Sequence, residues 1–480
     1  MASSSLILTG LAALLPGSVH AALTVGAPTL ETSSLYGGPA YGPCINPSLS
    51  ASARLLLFMC HSSDIVADDD NDRYDTFLLD RQTRHLQRVS VDSWGNDHRF
   101  HSDIGIPYDN GHLVVFGSNA KLDPVIPWEY YDLGISNVFL RDLQEGTTTL
   151  IGLNHLGESE RLGTRFSAAL YDRTEAVLTS GANLLGEDTN GALMEDVYIR
   201  NWRTGAIELI SGSPSGEQSN CYTDNGTLVS ENGRYVVFSS CASNLTDDNP
   251  LGARNLFLRD RWLGTTRRLT RHWAGGEFIT PPYFYLDSGA GRIIGERYVP
   301  FSAIGGELVP GGNPIQFHTY LLDIQTGEVE LISRSWTSPP SAVDGWRPSM
   351  SADGRYLAFP SRSPDITADP GPTPAVYLKD RFTDEIVNVS AGLPGSSSDL
   401  SIVNISADGS TLAFTWRYDA SAPQPYAGRT LIYTVSIHGT PLEPPTPEPV
   451  PSTSWTGRFA ALMALLLGAW IALRRRRQAT

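Results

Sequence analysis

Three loops of the chain hold aspartate and asparagine side chains at a spacing that suits a calcium ion. These side chains are Asp69, Asn71 and Asp75 in the first loop, Asp188, Asn190 and Asp196 in the second, and Asp247 and Asn249 in the third. Alternating Asp-x-Asn places several hard oxygen ligands on one curled loop, the arrangement that Ca²⁺ prefers. No loop ends in the bidentate Glu of an EF-hand, and Asp and Asn are also common in exposed turns. Two hypotheses therefore stay open, a structural Ca²⁺ clamp and ordinary acidic turns.

A second polar cluster could line a pocket or bind a metal. It reads Asp97-His98-Arg99-Phe100-His101-Ser102-Asp103, and a linking loop between two repeats is the alternative interpretation. Elsewhere no local catalytic motif is present. Gly212-Ser-Pro-Ser-Gly216 has Pro where a nucleophile elbow needs its nucleophile, and the sequence has no H-E-x-x-H and no P-loop. An enzyme built on this chain would therefore need acid and base groups from separate repeats.

Six tryptophans lie near predicted loops. They are Trp94, Trp128, Trp262, Trp273, Trp336 and Trp346. Exposed indole rings offer large apolar faces that suit sugar rings or peptide side chains. Packing between repeats is the alternative interpretation, so these residues predict a binding face only if the fold exposes them together.

The four cysteines form two pairs, each symmetric about a predicted hairpin turn. Cys44 and Cys60 are centred on position 52, and Cys221 and Cys241 are centred on position 231. Directly opposed residues of a hairpin have Cβ atoms close to disulfide range. We therefore predict Cys44–Cys60 and Cys221–Cys241 disulfides, each worth about 3 kcal/mol in the chain-entropy description. Such bridges require an oxidising compartment.

The elements that must position these residues repeat seven times along the chain. Each repeat has an apolar strand ending in Asp or Asn, as in Val138-Phe-Leu-Arg-Asp142 and Leu256-Phe-Leu-Arg-Asp260, and a degenerate seventh copy begins at Leu431. The terminal Asp or Asn residues recur every 57–63 residues. Their recurrence predicts that they cap the following turn and are not catalytic. A fixed period indicates that one supersecondary unit is stacked many times.

Each repeat reads as four short strands. Asn-Gly or Asp-Gly pairs at 110–111, 232–233, 353–354 and 408–409 supply the positive φ values that a tight hairpin turn requires. Four antiparallel strands repeated around a ring predict an all-β, seven-bladed β-propeller. The seventh repeat lacks an outermost strand, and the segment from Leu23 to Leu30 has no partner of its own. We expect that segment to complete the last blade, because an exposed edge strand is a liability.

The repeat resembles the TolB-type, WD-repeat-like propeller repeat. The resemblance is clearest in Ser230-Glu-Asn-Gly-Arg-Tyr-Val-Val-Phe-Ser239 and Ser351-Ala-Asp-Gly-Arg-Tyr-Leu-Ala-Phe-Pro-Ser361, each followed by its Asp-terminated strand. It covers roughly residues 45–440 and implies the fold, whereas propellers of this kind serve many unrelated functions. TolB carries a separate N-terminal α/β domain, and here the repeats begin almost at once.

Both ends of the chain have the sequence pattern of targeting segments. Residues 1–21 predict a signal peptide, and 22–440 the propeller. Residues 441–457 form a Pro-rich spacer, and 458–480 an apolar helix followed by four arginines, which places the C-terminus in the cytoplasm. Val450-Pro-Ser-Thr-Ser-Trp455 and this tail resemble the PEP-CTERM and IPTL-CTERM sorting tails, which implies a sorting enzyme as partner. A plain anchor in the inner membrane is the alternative, and either interpretation places the propeller outside a bacterial inner membrane.

The charge of the chain limits its partners. With 35 basic and 51 acidic side chains, the formal net charge is −16, which disfavours nucleic acid and anionic lipid. Two function classes stay open. The first is an exported, membrane- or surface-attached binding or scaffold protein without catalytic activity, whose ligand is a protein, a peptide or a glycan. The second is a propeller enzyme, a glycan lyase or hydrolase with its active site at the central channel.

Overall fold

The computed structural model describes most of the chain between residues 23 and 439. The exceptions are 97–100, 128–134, 170–173, 187, 192–193, 277, 279–281, 287–291, 306–307, 370, 372 and 394–401. Ala22–His438 form one compact unit. The predicted signal peptide, spacer and C-terminal tail lie outside the described residues. Within the described ranges, no helix is long and apolar enough to cross a membrane.

The described strands form seven sheets, and each sheet is one antiparallel blade of a ring. Blade 1 contains β3 (Cys44–Leu49), β4 (Leu55–Cys60), β5 (Asp75–Asp80) and β6 (His85–Arg88), and blade 2 contains β7 (Ser102–Pro107), β8 (Leu113–Ser118), β9 (Asn137–Asp142) and β10 (Thr147–Leu150). Blade 3 contains β11 (Arg165–Ala169), β12 (Glu175–Ser180), β13 (Asp196–Asn201) and β14 (Ile207–Leu209), and blade 4 contains β15 (Thr223–Ser230), β16 (Tyr235–Ser240), β17 (Asn255–Asp260) and β18 (Thr265–Arg268).

The last three blades follow the same order. Blade 5 contains β19 (Tyr283–Tyr285), β21 (Tyr298–Ile304), β22 (Phe317–Asp323) and β23 (Val329–Leu331), and blade 6 contains β24 (Ser349–Met350), β25 (Tyr356–Ser361), β26 (Ala375–Asp380) and β27 (Ile386–Asn388). Blade 7 contains β28 (Val403–Ile405), β29 (Thr411–Arg417) and β30 (Thr430–His438). An extra strand, β20 (Arg292–Ile293), pairs in parallel with β15 of the neighbouring blade. The predicted all-β, seven-bladed propeller with four-stranded antiparallel blades is confirmed.

The N-terminal segment closes the ring, as predicted, but in two pieces. β1 (Thr24–Val25) and β2 (Thr29–Leu30) both pair antiparallel with β30. Glu31 follows β2 and is buried, and its carboxylate forms ion pairs with Arg81 and Arg84 of blade 1. Thr434 of β30 also donates a hydrogen bond to it, at 2.7 Å. The closure therefore joins blade 7 to blade 1 by charge as well as by strand pairing.

The hydrophobic core lies between neighbouring blades and repeats with them. In six blades an aromatic residue of the second strand pairs in register with one of the third strand. The pairs are Phe58–Phe77, Phe116–Phe139, Phe238–Phe257, Phe301–Tyr320, Phe359–Tyr377 and Phe414–Tyr433, with ring centroids 5.4–6.0 Å apart. Blade 3 has Leu178 opposite Tyr198 instead. Cross-strand aromatic pairs of this kind stabilise a sheet and fill the space between stacked blades.

The hairpin turns between first and second strands are longer than the sequence predicted. In blade 6, the Ser351 amide donates to the Tyr356 carbonyl and the Gly354 amide to the Ser351 carbonyl, both at 2.9 Å. Four residues therefore lie between the paired ends. Only the glycine has a positive φ, 74° at Gly354, whereas Asp353 before it does not. The predicted tight turn is wrong in this respect, because a longer loop needs one left-handed residue and not two.

The other local predictions hold. Asp or Asn at the end of the third strand caps the next turn in six blades, accepting hydrogen bonds from the backbone two or three residues on. The capping residues are Asp80, Asp142, Asn201, Asp260, Asp323 and Asp380. The two disulfides Cys44–Cys60 and Cys221–Cys241 are present, with Cα atoms 4.0 and 5.4 Å apart.

Candidate functional site

The two ends of the ring differ in what they present. One end, the turn face, carries the short hairpins between first and second strands and between third and fourth strands. The other end, the loop face, carries the longer connections between second and third strands and from each blade to the next. The innermost strand of every blade begins at the loop face, and neighbouring innermost strands contact each other at six of the seven junctions of the ring. The mouth of the central channel at this face is therefore lined by residues that precede or begin these strands.

Aromatic rings and arginines form a continuous strip at this mouth, across blades 4, 5 and 6. We call it the mouth strip, and it consists of Tyr222, Arg254, Tyr283, Tyr285, Phe317, Trp346 and Arg347. The guanidinium of Arg254 lies 5.2 Å from the ring centroid of Tyr222 and 4.5 Å from that of Tyr283. Arg254 also donates a hydrogen bond to the Tyr222 hydroxyl. One arginine thus joins the first residues of two blades.

The second half of the mouth strip is an aromatic cluster. The Tyr285 ring lies 5.1 Å from Tyr283, 5.3 Å from Phe317 and 6.4 Å from Trp346. Phe317 and Trp346 are 4.0 Å apart, and the Arg347 guanidinium lies 5.7 Å from the Tyr285 ring. All of these side chains are at least partly exposed. Their faces can stack on a ring-bearing ligand, and the two arginines can receive its carbonyl, hydroxyl or anionic groups.

The sequence analysis singled out only Trp346 from this strip. A signal was present, because Tyr222, Tyr283 and Trp346 recur at intervals of 61 and 63 residues, the period of the repeat. Aromatic residues at equivalent positions of three successive repeats must come together around the axis. Phe317 and Arg254 carry no such signal, since they reach the strip from connections between second and third strands.

A histidine cluster lies on the loop face between blades 1 and 2. The Tyr74 ring lies 5.3 Å from His61 and 5.8 Å from His101, and the Tyr74 amide donates to His101 Nδ1 at 3.2 Å. Burial lowers the pKa of His101, and the positive charges of Arg73 and His61 lower it further. Burial also raises the pKa of Tyr74. The His101 imidazole is therefore biased toward its neutral form, with Nδ1 as the acceptor for the Tyr74 amide.

This cluster contains part of the polar stretch between residues 97 and 103. His101 is described, and it faces Tyr74 and His61. Asp97 and His98 lie outside the described residues, and nothing can be said of the Asp103 side chain. The sequence did not connect His101 to His61, because the two residues come from different blades.

The residues predicted to bind calcium lie at the loop-face ends of third strands. Asp75 and Asp196 are the first residues of β5 and β13, and both are buried. Asp75 accepts hydrogen bonds from Ser90, at 2.5 Å, and from the Asn71 amide, at 2.7 Å. Asp196 is the acceptor for four neutral donors, which are Ser211, Ser219, Asn190 and Gln218. Burial raises the pKa of Asp196 in spite of these bonds.

The same arrangement exists in blade 4 without a carboxylate. Asn255 begins β17, accepts a hydrogen bond from Thr270 and donates to Asn249, at 3.1 Å in both cases. Asn249 in turn donates to two backbone carbonyls of its loop. Asp69 lies 3.5 Å from the Arg88 guanidinium, and Asp188 accepts backbone hydrogen bonds from its own turn.

These contacts describe a polar clasp between the start of the third strand and the end of the fourth. Ser or Thr follows Asp or Asn by fifteen residues in blades 1, 3 and 4, as in Asp75–Ser90 and Asn255–Thr270. Among the described side chains, no group of three or more His, Cys, Asp or Glu residues is arranged to hold a metal ion. The donors that surround Asp196 fit a hydrogen-bond cluster, and the calcium hypothesis stays a prediction.

The predicted tryptophans divide between the two faces. Trp94, Trp273 and Trp336 are exposed on the loop face, in the connections that follow fourth strands. Trp262 is also exposed, but it lies on the turn face after β17. Trp346 belongs to the mouth strip, and Trp128 lies outside the described residues. The fold therefore places four of the six on the loop face.

A groove of about 790 Å³ lies at the outer edge of blade 5, beside blade 6. Arg297, Asp323, Glu330 and Arg381 line it, and they form the ion pairs Arg297–Asp323 and Arg381–Glu330. Its charges are thus matched within the protein. The groove lies away from the mouth strip and the histidine cluster.

Comparison with solved structures agrees with the fold. An oligogalacturonate lyase in complex with manganese has 12% sequence identity and a TM-score of 0.48, over 87% of this chain and 96% of its own. TolB from Acinetobacter baumannii has 14% identity and a TM-score of 0.39, over 76% and 75%. One of two characterised prolyl endopeptidases has 10% identity and a TM-score of 0.49, over 86% of this chain and 51% of its own. No protein-family model matches the sequence, and the search of curated proteins gave no significant match. At such identities, what this chain has in common with its structural neighbours, TolB propellers among them, is the β-propeller fold.

Proposed function

We propose that this protein is an exported, envelope-attached binding protein without catalytic activity, and that its ligand binds on the loop face. The observation that carries the proposal is the mouth strip. Five aromatic rings and two guanidiniums form one partly exposed surface at the channel mouth, where three blades converge. Convergent apolar faces with a few polar groups are typical of ligand sites. A glycan or an extended peptide supplies rings and hydrogen-bonding groups of the required kind.

Several features support export. The two disulfides need an oxidising compartment. The pattern of residues 1–21 supports a signal peptide, and that of 441–480 supports a spacer and a tail that is held in the inner membrane or processed by a sorting enzyme. The net charge of −16 supports a partner other than nucleic acid.

The test is a screen of the purified full chain against glycan and peptide arrays, followed by calorimetry with each hit. Tyr283→Ala removes the ring that contacts both Arg254 and Tyr285. We expect it to weaken binding by about tenfold or more, as loss of a central contact residue does. Trp262→Ala on the turn face is the matched control. Equal affinity of wild type and Tyr283→Ala for every hit would contradict a site at the mouth.

The histidine cluster supports a second candidate, a propeller enzyme that acts on glycans as a lyase or hydrolase. His101, with a lowered pKa, lies beside the Tyr74 ring and near Arg73, so an imidazole, a phenol and a positive charge occur together, as acid–base catalysis requires. This function predicts turnover of a glycan that the arrays identify, and loss of that turnover in His101→Ala with binding retained. Product formation by mass spectrometry distinguishes the two functions, since a binding protein releases its ligand unchanged.

A further inference from the structure

The connection after the fourth strand contains the same small hairpin at five places around the loop face. We call these hairpins the rim turns, and they begin at Ser34, Asp92, Asn154, Ser213 and His272. In the first four, the amide of the first residue donates to the carbonyl four residues on, at 2.8–3.2 Å. In all five, the amide of the fourth residue donates back to the first carbonyl, at 2.9–3.1 Å. That fourth residue is always a glycine, with φ between 79° and 86°, as a three-residue hairpin loop requires.

The rim turns hold large apolar side chains out into solvent. The second or third residue of four rim turns is Tyr36, Trp94, Leu156 or Trp273, and these side chains are 86%, 75%, 67% and 55% exposed. Only the turn at Ser213 lacks one, because Pro214 and Ser215 stand there. A longer turn in blade 5 presents Trp336, which is 59% exposed. Single exposed apolar residues need no explanation, but one at the same place in successive blades does.

Hydrogen bonds fix the rim turns to the next blade. The Leu35 amide donates to the Asp64 carbonyl, His155 to Leu184, and Trp336 to Asp365, at 2.7–2.9 Å. Within three turns the first side chain also accepts from the amide of the tip residue, as Ser34 does from Tyr36, Asp92 from Trp94 and Asn154 from Leu156, at 2.9–3.2 Å. The backbones of these turns are therefore held in place before any partner arrives, which lowers the entropy cost of binding.

The separate positions of the tips around the ring limit the kind of partner that can bind them. Equivalent turns of a ring lie at the same height, so the tips form a circle of separate apolar contacts with polar surface between them. A compact protein partner needs one continuous patch. A surface or polymer that presents the same chemistry at many points can contact several tips at once.

Charge and composition distinguish the remaining partners. Glu158 and Glu160 lie beside Leu156, and the whole chain has a net charge of −16. Acidic groups beside the tips disfavour insertion into a bilayer, where interfacial segments carry Lys and Arg. The same charge repels anionic polymers. Trp and Tyr next to Ser, Asn and His side chains suit sugar rings with free hydroxyls.

We propose that the rim turns and the longer turn of Trp336 bind a neutral polysaccharide through several tips at once. Tyr36, Trp94, Trp273 and Trp336 stack on sugar rings, and the polymer spans two or more blades. This surface is separate from the mouth strip, so it does not depend on the ligand proposed for the channel mouth.

The experiment measures retention of the full chain on insoluble cellulose and chitin, as two neutral polymers. Single substitutions Tyr36→Ala, Trp94→Ala, Trp273→Ala and Trp336→Ala each weaken retention by about 3- to 10-fold, and the quadruple variant weakens it by about 10²-fold or more, because multivalent contacts multiply. Trp262→Ala is the matched control, since Trp262 is 64% exposed on the turn face. Its retention equals that of wild type.

Two further probes complete the test. Soluble polygalacturonate and phosphatidylcholine vesicles do not bind, and the melting temperature of the quadruple variant stays that of wild type because the tips are exposed. Retention on neither neutral polymer, equal retention of the quadruple variant, or tip-dependent binding to vesicles would overturn the proposal. A loss of ligand binding in Tyr283→Ala alone concerns the mouth strip, and it does not affect the retention of the protein on the polymers.

Discussion

The carboxylate at the end of the third strand has two partners in most blades. One oxygen caps the following turn, and in four blades the other accepts from an arginine at the start of the second strand. The pairs are Arg54–Asp80, Arg234–Asp260, Arg297–Asp323 and Arg355–Asp380. Their burial differs. Arg355 and Asp380 are 8% and 1% exposed, whereas Arg54 and Asp80 are 48% and 15% exposed.

This difference gives a prediction within one chain. Asp380→Ala leaves the buried Arg355 without its carboxylate and the turn without its cap, and we expect a loss of about 2–4 kcal/mol in the free energy of unfolding. Asp80→Ala is the matched control and costs less, because an exposed ion pair contributes little. Urea unfolding measures both. Equal losses would show that the cap, and not the ion pair, carries the stability.

The calcium hypothesis also belongs to single residues. A bound ion raises the melting temperature of the folded protein by mass action. The hypothesis therefore predicts a higher midpoint at millimolar calcium than with chelator, and a smaller rise in the Asp69→Ala/Asp75→Ala variant, which loses the ligands of one of the three loops. Asp196→Ala separates the two interpretations further, since it removes the acceptor that Ser211, Ser219, Asn190 and Gln218 share. An unchanged midpoint in wild type, together with a large loss in Asp196→Ala, would leave these loops as hydrogen-bonded clasps.

Closure of the ring depends on a titratable side chain, Glu31. Burial by itself raises the pKa of Glu31, but hydrogen bonds from Arg84, Thr434 and Arg81 offset it, and the pKa lies below the ordinary value of 4.5. The folded protein then binds fewer protons here than the unfolded chain. The stability that Glu31 contributes is complete above pH 4.5 and is lost as pH falls through the folded value.

Glu31→Gln tests this contribution. We expect the variant to be less stable by about 2–3 kcal/mol between pH 5 and 7, because Arg81 and Arg84 lose a buried partner. The difference from wild type shrinks as pH falls from 4.5 through the lower folded pKa of Glu31, because first the unfolded chain and then the folded wild type takes up a proton at this carboxylate. Urea unfolding from pH 7 to 3 measures it. A difference that stays constant over this range would assign the effect to side-chain shape and not to charge.

The two disulfides differ in access to solvent. Cys44 and Cys60 are fully buried between strands, whereas Cys221 and Cys241 are partly exposed. Because thiol exchange needs access to a sulfur, dithiothreitol reduces Cys221–Cys241 first. Timed alkylation and peptide mass mapping record the order. Removing either pair by serine substitution costs about 3 kcal/mol, and reduction of Cys44–Cys60 first would contradict the burial argument.

Structural elements could be predicted from the sequence where one local pattern determines them. The Phe-Leu-Arg-Asp strands, the turn caps and the cysteine pairs each depend on residues that lie close together in sequence. The length of the hairpin turns was not predictable, because Asn-Gly fits both a two-residue turn and a longer loop with one left-handed glycine. The mouth strip combines aromatic side chains of three blades, between Tyr222 and Trp346. The histidine cluster combines His61 of blade 1 with His101 of blade 2. Contacts between blades are set by the ring, so no local motif records them.

At the scale of the whole molecule, each blade is stabilised by its neighbours on both sides. Blade 7 is completed by a segment from far away in the sequence, because β1 and β2 pair with β30, and Glu31 then joins this blade to blade 1. Arginines elsewhere strengthen the contact between successive blades in a similar way. Arg261 of blade 4 lies 3.2 Å from Glu175 and 2.8 Å from Glu208, both of blade 3. The ring is therefore held by charge at several junctions, and within blade 7 it is also closed by the pairing of β1 and β2 with β30.

Removal of residues 23–32 tests the closed ring as a unit. The deletion leaves the outer edge of β30 unpaired and Arg81 and Arg84 without Glu31, so the variant exposes a strand edge that can pair with another copy. We expect a lower melting temperature and concentration-dependent association in light scattering. A synthetic peptide of residues 23–32 restores the monomer and the midpoint, because an added strand can satisfy an open edge. The same peptide with Glu31→Gln binds more weakly at pH 7. A deletion variant that stays monomeric with an unchanged midpoint would show that the blades hold the ring without this segment.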